Sequence, residues 1–225
     1  MTDTITAVSR SLSADIATLN TISHNIANSN TTGFRAERSV PSFQSQLDGG
    51  QSTVSIDQQD GPLSETHRSL DVALRGQGFF AVQRGNETLL VRDGSFRLNT
   101  EGQLVNANGD QVLGESGPIV LEKEAVRIDK QGQIWDGENS LGQLKLVNVA
   151  EPAKLQPIDG GFRYDGTLGE WKGAVQQGAV EHTNVNVADE SIRLMELTRH
   201  VESVQRAISI YDKAMDTGIN RLGEN

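Results

Sequence analysis

Helix breakers are confined to the middle of this chain, and that distribution decides most of what it can fold into. Of its 23 glycines, 21 lie between Gly33 and Gly178, and all five prolines (Pro41, Pro62, Pro118, Pro152, Pro157) fall in the same stretch. Inside a helix a glycine costs about 1 kcal/mol and a proline about 3 kcal/mol relative to alanine. Residues 1–32 and 179–217 hold neither, so they can run as long helices while the middle cannot. The expected architecture is α+β: helix, β-rich body, helix.

Both ends carry an apolar stripe. In the first, Ile5, Val8, Leu12, Leu19, Ile22 and Ile26 occupy a and d positions of a heptad, with Asp15 where the next apolar residue should stand. The helix is expected to begin near Asp3 or Thr4 and to fray in Asn28-Ser29-Asn30-Thr31-Thr32-Gly33, a run that favours caps and turns. In the second, Leu194, Leu197, Val201, Val204, Ile208, Tyr211, Met215 and Leu222 keep the same spacing, with Gly218 at one d position. Asn186 is the expected N-cap, with Asp189 at N3. A stripe of this kind can simply be the buried face of a helix in a globular domain. Here the helices flank a β body at opposite chain ends and hold a/d spacing over about three and four heptads, which favours pairing as a coiled coil.

Between them run ten short β-prone segments, from Val72–Leu74 to Leu144–Val149. Asp93-Gly94, Glu101-Gly102, Asn108-Gly109 and Asp136-Gly137 punctuate them and supply the positive φ values of tight hairpins. Short strands at this spacing predict an antiparallel sandwich or barrel. The domains expected are a helix over 1–34, an extended connector over 35–68, a central β domain over 69–178 able to fold without the helices, and a helical segment over 179–225.

Composition narrows the partners. A formal net charge of -10 argues against nucleic acid and against an anionic membrane surface. No run of about 18 apolar residues occurs, so membrane insertion is not expected. With no cysteine there is no disulfide framework, and the polar start Met1-Thr2-Asp3-Thr4 shows no cleavable secretory signal.

Catalytic constellations are wanting. Gly76-Gln77-Gly78-Phe79-Phe80-Ala81 matches a dinucleotide-binding pattern, but that pattern needs a helix next, and Phe79–Gln83 reads as strand. Its glycines are expected to form a turn or bulge. His24, His67, His182 and His200 have no metal-ligand spacing. No cofactor, metal or enzymatic activity is expected; the chain reads as a self-assembling structural protein.

The segment Ser23-His24-Asn25-Ile26-Ala27-Asn28-Ser29-Asn30-Thr31-Thr32-Gly33-Phe34-Arg35 resembles the signature of the bacterial flagellar axial proteins, the rod, hook and hook-associated subunits. Its family positions are Asn25, Ala27, Asn28, Thr31, Gly33 and Phe34. Leu70–Phe80, Arg92-Asp93-Gly94-Ser95-Phe96 and Thr183-Asn184-Val185-Asn186-Val187 resemble later segments of the same family, in order. The chain is too short for a hook protein. Gly142–Asn148 and Tyr211–Met215 look most like the proximal, F-type rod subunit, and the distal rod subunit shares most of these segments. The resemblance implies a structural subunit of the basal-body rod, crossing the periplasm between motor and hook. It implies export by the flagellar type III apparatus and polymerisation with copies of itself and other rod proteins through the terminal helices. The rival from another assembly is a phage-tail-like tubular protein.

Overall fold

The computed structural model describes residues 2–40 and 53–223. It is α+β, with helices α1 (Thr2–Ala27) and α2 (Val187–Gly223) flanking a body of short strands. Every strand register described is antiparallel. The chain divides into two compact units, one of 27–38 and 55–185, the other of 1–26, 39–54 and 186–225.

The first unit is the β body. Four stretches that read as connector or helix contribute strands to the sheets: β1 (Glu37–Val40) pairs β2 (Thr53–Ile56), and β3 (Leu63–Glu65) pairs β19 (Ala179–Glu181). Next come β4 (Val72–Arg75), which pairs β18 (Ala174–Gln177), then β5 (Phe79–Arg84) and β6 (Glu87–Val91). Beyond these are β7 (Arg97–Leu98), β8 (Leu104–Val105), β9 (Gln111–Gly114) and β10 (Gly117–Pro118). A separate three-stranded sheet holds β11 (Arg127–Ile128), β12 (Gln133–Asp136) and β13 (Asn139–Gln143). The last strands are β14 (Leu146–Val149), β15 (Leu155–Ile158), β16 (Gly161–Tyr164) and β17 (Leu168–Glu170).

The large sheet runs β15-β16-β6-β5-β9-β8-β7, with β10 on β9, β14 on β5 and β17 on β14. It does not close into the barrel that strand spacing allowed. Its end strands are β15, where Pro157 has no N–H to donate to a further partner, and the two-residue β7. Strands β5 and β6 sit at its centre, and their alternation explains why. Phe80, Val82, Leu89 and Val91 enter one apolar cluster, with Leu74, Phe96, Ile134 and Leu144 among its members. Phe79 and Leu90 point the other way, into a second cluster with Val147, Val149, Leu155 and Phe162. Because successive side chains face opposite sides of a strand, a continuous apolar run fits only a strand covered on both faces. An edge-on aromatic pair packs on each side: Phe80 with Phe96 at 5.1 Å, and Phe79 with Phe162 at 5.5 Å.

Three of the four glycine turns have the expected positive φ, at Gly102, Gly109 and Gly137. The fourth, Asp93-Gly94, is not a hairpin tip. A Cβ on Gly94 would lie 1.8 Å from the Val72 carbonyl oxygen, so glycine is needed there for close approach of two backbones.

In the second unit, Asn186 caps α2 as expected: its Oδ1 accepts from the backbone N–H of Ala188 (3.0 Å) and Asp189 (3.4 Å). The end of α1 at Ala27 is followed by turns, as the polar run predicts. No helix is long and apolar enough to cross a membrane among the described residues.

Candidate assembly site

The segments that carry the resemblance converge on one buried ionic cluster in the β body. Arg92, at the end of β6, has a fully buried side chain, and its guanidinium uses all five N–H groups. Nε donates to Glu181 Oε2 (2.5 Å), Nη1 to the carbonyls of Gly76 (2.8 Å) and Gly78 (2.6 Å), and Nη2 to the Leu74 carbonyl (2.8 Å) and Asp60 Oδ1 (3.0 Å). Arg35 joins from the other side, its Nη2 lying 3.0 Å from Glu181 Oε1 and 3.2 Å from Asp60 Oδ1. The remaining carboxylate valences are met by backbone: Gly61 N–H on Glu181 Oε1 (2.8 Å) and Gly76 N–H on Asp60 Oδ2 (2.7 Å). Two guanidiniums and two carboxylates cancel, which makes burial tolerable.

The electrostatics follow. Burial pushes the Asp60 carboxyl up, but the Gly76 N–H, Arg92 and Arg35 together outweigh it and hold it below the usual carboxylate range. For Arg92, burial and the neighbouring Arg35 push the guanidinium down, against Glu181 and Asp60. A guanidinium starts so high that it stays charged throughout.

Around this cluster the chain entering from α1 is tied to the chain leaving for α2. Gly33 N–H donates to the Glu181 carbonyl (2.8 Å). Asn184 Oδ1 accepts from Ala36 N–H (2.7 Å), while its Nδ2 donates to the carbonyls of Asp57 (3.1 Å) and Gln59 (2.9 Å). The signature glycine has a physical reason: Gly33 sits at φ +66°, and a Cβ there would lie 2.3 Å from the Asp93 nitrogen. Thr31 bonds back to Asn28 through backbone N–H (3.0 Å) and hydroxyl (3.2 Å), building the turn after α1. Asn25 is fully buried, Ala27 is exposed and Phe34 half-buried. The Gly76-Gln77-Gly78 turn aims its carbonyls at an arginine and continues into strand β5, which is the opposite of a phosphate cradle.

Sequence reasoning missed Asp60 and Glu181. Glu181 lies on β19, in a stretch that read as the start of the second helical segment, so nothing in the sequence marked it for burial.

The helix stripes are placed less uniformly. On α1, Val8 is half-buried and Ile22 buried, Asp15 lies on the same side, and Ile26 is half-buried, but Leu12 (37 %) and Leu19 (40 %) are exposed beside Ile16 (51 %). On α2, Leu194, Leu197, Val201 and Val204 are half-buried, whereas Ile208 and Tyr211 are exposed. The side chains of Ile5, Met215 and Leu222 lie outside the described residues. Asp15 and His200, one from each helix, approach to 3.7 Å. A further apolar set off the stripe of α2, including Ile192, Met195 and Ile210, faces solvent. Among the described residues no cluster of His, Asp and Glu is arranged to hold a metal ion.

Three family models match the chain in order. Residues 6–35 match the flagella basal body rod protein family, 73–135 the D1 domain of the flagellar hook protein FlgE/F/G, and 176–222 the C-terminal region of the flagellar basal body rod FlgEFG proteins. Among curated relatives, the flagellar basal-body rod protein FlgF of Caulobacter vibrioides is 30 % identical over 92 % of each chain. FlgG of Buchnera aphidicola subsp. Acyrthosiphon pisum is 31 % identical over 91 % of this chain and 94 % of its own. FlgF of Escherichia coli is 32 % identical over 84 % of this chain and 85 % of its own.

Proposed function

The chain belongs to the flagellar basal-body rod protein family, and on that footing we propose that it is a proximal rod subunit that polymerises through its terminal helices. The helices pair as a coiled coil within the rod, and the β body is a sandwich. The subunit reaches the growing tip through the flagellar type III apparatus and serves as a structural link in the shaft between motor and hook, without catalysis of its own. It assembles with copies of itself and with other rod proteins.

The observation that carries the assembly reading is the unequal covering of the two helices. Within one chain the a and d stripe of α1 is only half buried, leaving Leu12 and Leu19 exposed, while Ile192, Met195 and Ile210 of α2 are also exposed. Apolar positions repeated at helical spacing and left in water mark an interface with another protein. The assembly residues on this reading are Ile5, Val8, Leu12, Leu19, Ile22 and Ile26 with Leu194, Leu197, Val201, Val204, Ile208, Tyr211 and Met215.

Identity to FlgF and FlgG relatives is alike, so the proximal assignment rests on the Gly142–Asn148 and Tyr211–Met215 segments. The distal position is the second reading. Val204→Asp with Ile208→Asp tests the assembly role by placing two charges in the seam. In a flagellated bacterium relying on this chain, the double variant should fold in its β body yet give no motility and no completed rod by electron microscopy of basal bodies. Wild-type swimming would sink the reading.

A further inference from the structure

An open cleft of about 580 Å³ lies in the β body, away from the ionic cluster, walled by His67, Arg68, Ser69, Arg127, Trp135 and Gln177. We propose that it docks a carboxylate-bearing segment of an adjoining rod subunit. Three observations lead there.

The first is backbone conformation. His67 is the one non-glycine residue with positive φ (62°) among the described residues. It is held there because its N–H and that of Thr66 both donate to the Gly178 carbonyl, at 3.1 and 2.8 Å. An exposed side chain fixed on an unfavourable backbone at the lip of a cleft is the kind of feature that ligand clamps retain.

The second is oriented positive charge. Arg68 is steered by Asp71 Oδ1 (3.1 Å) and the Phe96 carbonyl (3.3 Å), yet its side chain stays 58 % exposed. Arg127 lies 5.5 Å over the ring of Trp135, its cross-strand partner, and forms no ion pair among the described residues. The nearby carboxylate of Asp129 accepts from Trp135 Nε1 (3.1 Å) and the N–H groups of Gln131 and Gln133 (3.0 Å each), which fix its position, and it attracts Arg127 without an ion-pair contact.

The third is rigidity. Gln177 spends its whole amide on the walls, donating to the carbonyls of Ser69 (2.8 Å) and Val126 (2.7 Å) and accepting from Ile128 N–H (3.0 Å). The site is therefore formed before any ligand arrives, which reduces the ordering cost of binding.

Charge complementarity selects the occupant. A chain with formal net charge -10 presents surplus carboxylates on every copy, so exposed, oriented guanidiniums such as Arg68 and Arg127 can set register between subunits of an acidic polymer. The source of the carboxylate rests on the rod reading, while the chemistry of the cleft does not.

Calorimetric titration of the full chain with a tri-glutamate peptide tests the proposal, with tri-glutamine and inorganic phosphate as comparisons. Saturable binding of tri-glutamate alone is expected, weakening with added salt. Arg127→Gln should weaken it about ten-fold or more, the loss of a charge-assisted hydrogen bond. His67→Gly, which keeps the turn and removes the imidazole, should weaken it less; thermal melts of both variants confirm that the body is intact. Absence of binding, equal binding of phosphate or tri-glutamine, or an unchanged Arg127→Gln affinity would overturn it. Because the readout is peptide affinity, its failure leaves the helix-seam test of rod assembly standing.

Discussion

The two units handle apolar surface in opposite ways. In the β body Phe80, Val82, Leu89 and Phe96 are fully buried and belong to one continuous cluster. In the helical unit Ile210 is 69 % exposed, Met195 55 % and Ile16 51 %. On the proposed reading the body folds alone, its buried apolar clusters offsetting the entropy of ordering it. On the same reading the helices are completed only on assembly. A helix whose stripe lacks a full partner draws little stability from packing, which is where most helical stability in proteins comes from. The difference teaches that one polypeptide can hold a fully covered domain beside helices that keep apolar surface exposed, the part that the proposed assembly would cover.

The largest effect that could break this comparison concerns where the body ends. Residues 69–178 alone would keep Arg92 but lose Arg35, Asp60 and Glu181, so a buried guanidinium would lack both carboxylates. The expectation that 69–178 folds by itself is therefore put to the test against a longer fragment. A fragment of 27–185 should melt cooperatively with β-type circular dichroism, and 69–178 should not. Equal melts for both would show the ionic cluster to be dispensable.

Next in size is the cluster itself. Arg92→Met leaves Glu181 without its Nε–H partner in a fully buried site, and removal of one member of a buried pair costs about 3–5 kcal/mol. Urea denaturation should show a loss in that range with the slope unchanged. A change under about 1 kcal/mol would mean that Arg35 or water satisfies the site.

Acid should act more gently. Asp60 has its carboxyl lowered in the folded state, so its contribution is present above the unfolded carboxylate range and is lost as pH falls through the folded value. Asp110 is lowered in the same way, chiefly by its bond to Arg84. The melting temperature of 27–185 should hold from neutrality down to about pH 4 and fall below it. Asp60→Asn should flatten that fall.

The smallest effect on subunit stability should come from the exposed helix face, and it sharpens the comparison most. Met195→Gln with Leu19→Gln should leave urea denaturation of the body within about 0.5 kcal/mol. Amide exchange in dilute subunit should show strong protection at Phe80 and Val82 and little at Leu194, Val201 and Ile208. Strong protection on the helix would mean that it is already docked and that its ordering is not coupled to assembly.

Much of this was legible in one dimension because it depends on local periodicity and on residues that forbid a conformation. The absence of breakers marks both helices, Asn186 announces a cap, and the apolar runs Phe79–Val82 and Leu89–Val91 mark strands covered on both faces. The strands β15 to β19 were not legible, since segments such as Leu155-Gln156-Pro157-Ile158 and Ala174-Val175-Gln176-Gln177 have neither alternation nor β-branched density. They are strands because a neighbour supplies the other half of the ladder.

The ionic cluster divides the same way. The sequence placed Gly33, Arg35, Arg92, Gly94 and Asn184 in segments that resemble the flagellar axial family. Only the tertiary structure decided that these segments meet, with Asp60 and Glu181 supplying the opposite charge across 32 and 89 residues of chain. It also decided which half of each helix stripe is covered within a single chain. Helical periodicity is written every three or four residues and can be read locally. The pairing of distant charges depends on which strands become neighbours, and long-range packing fixes that.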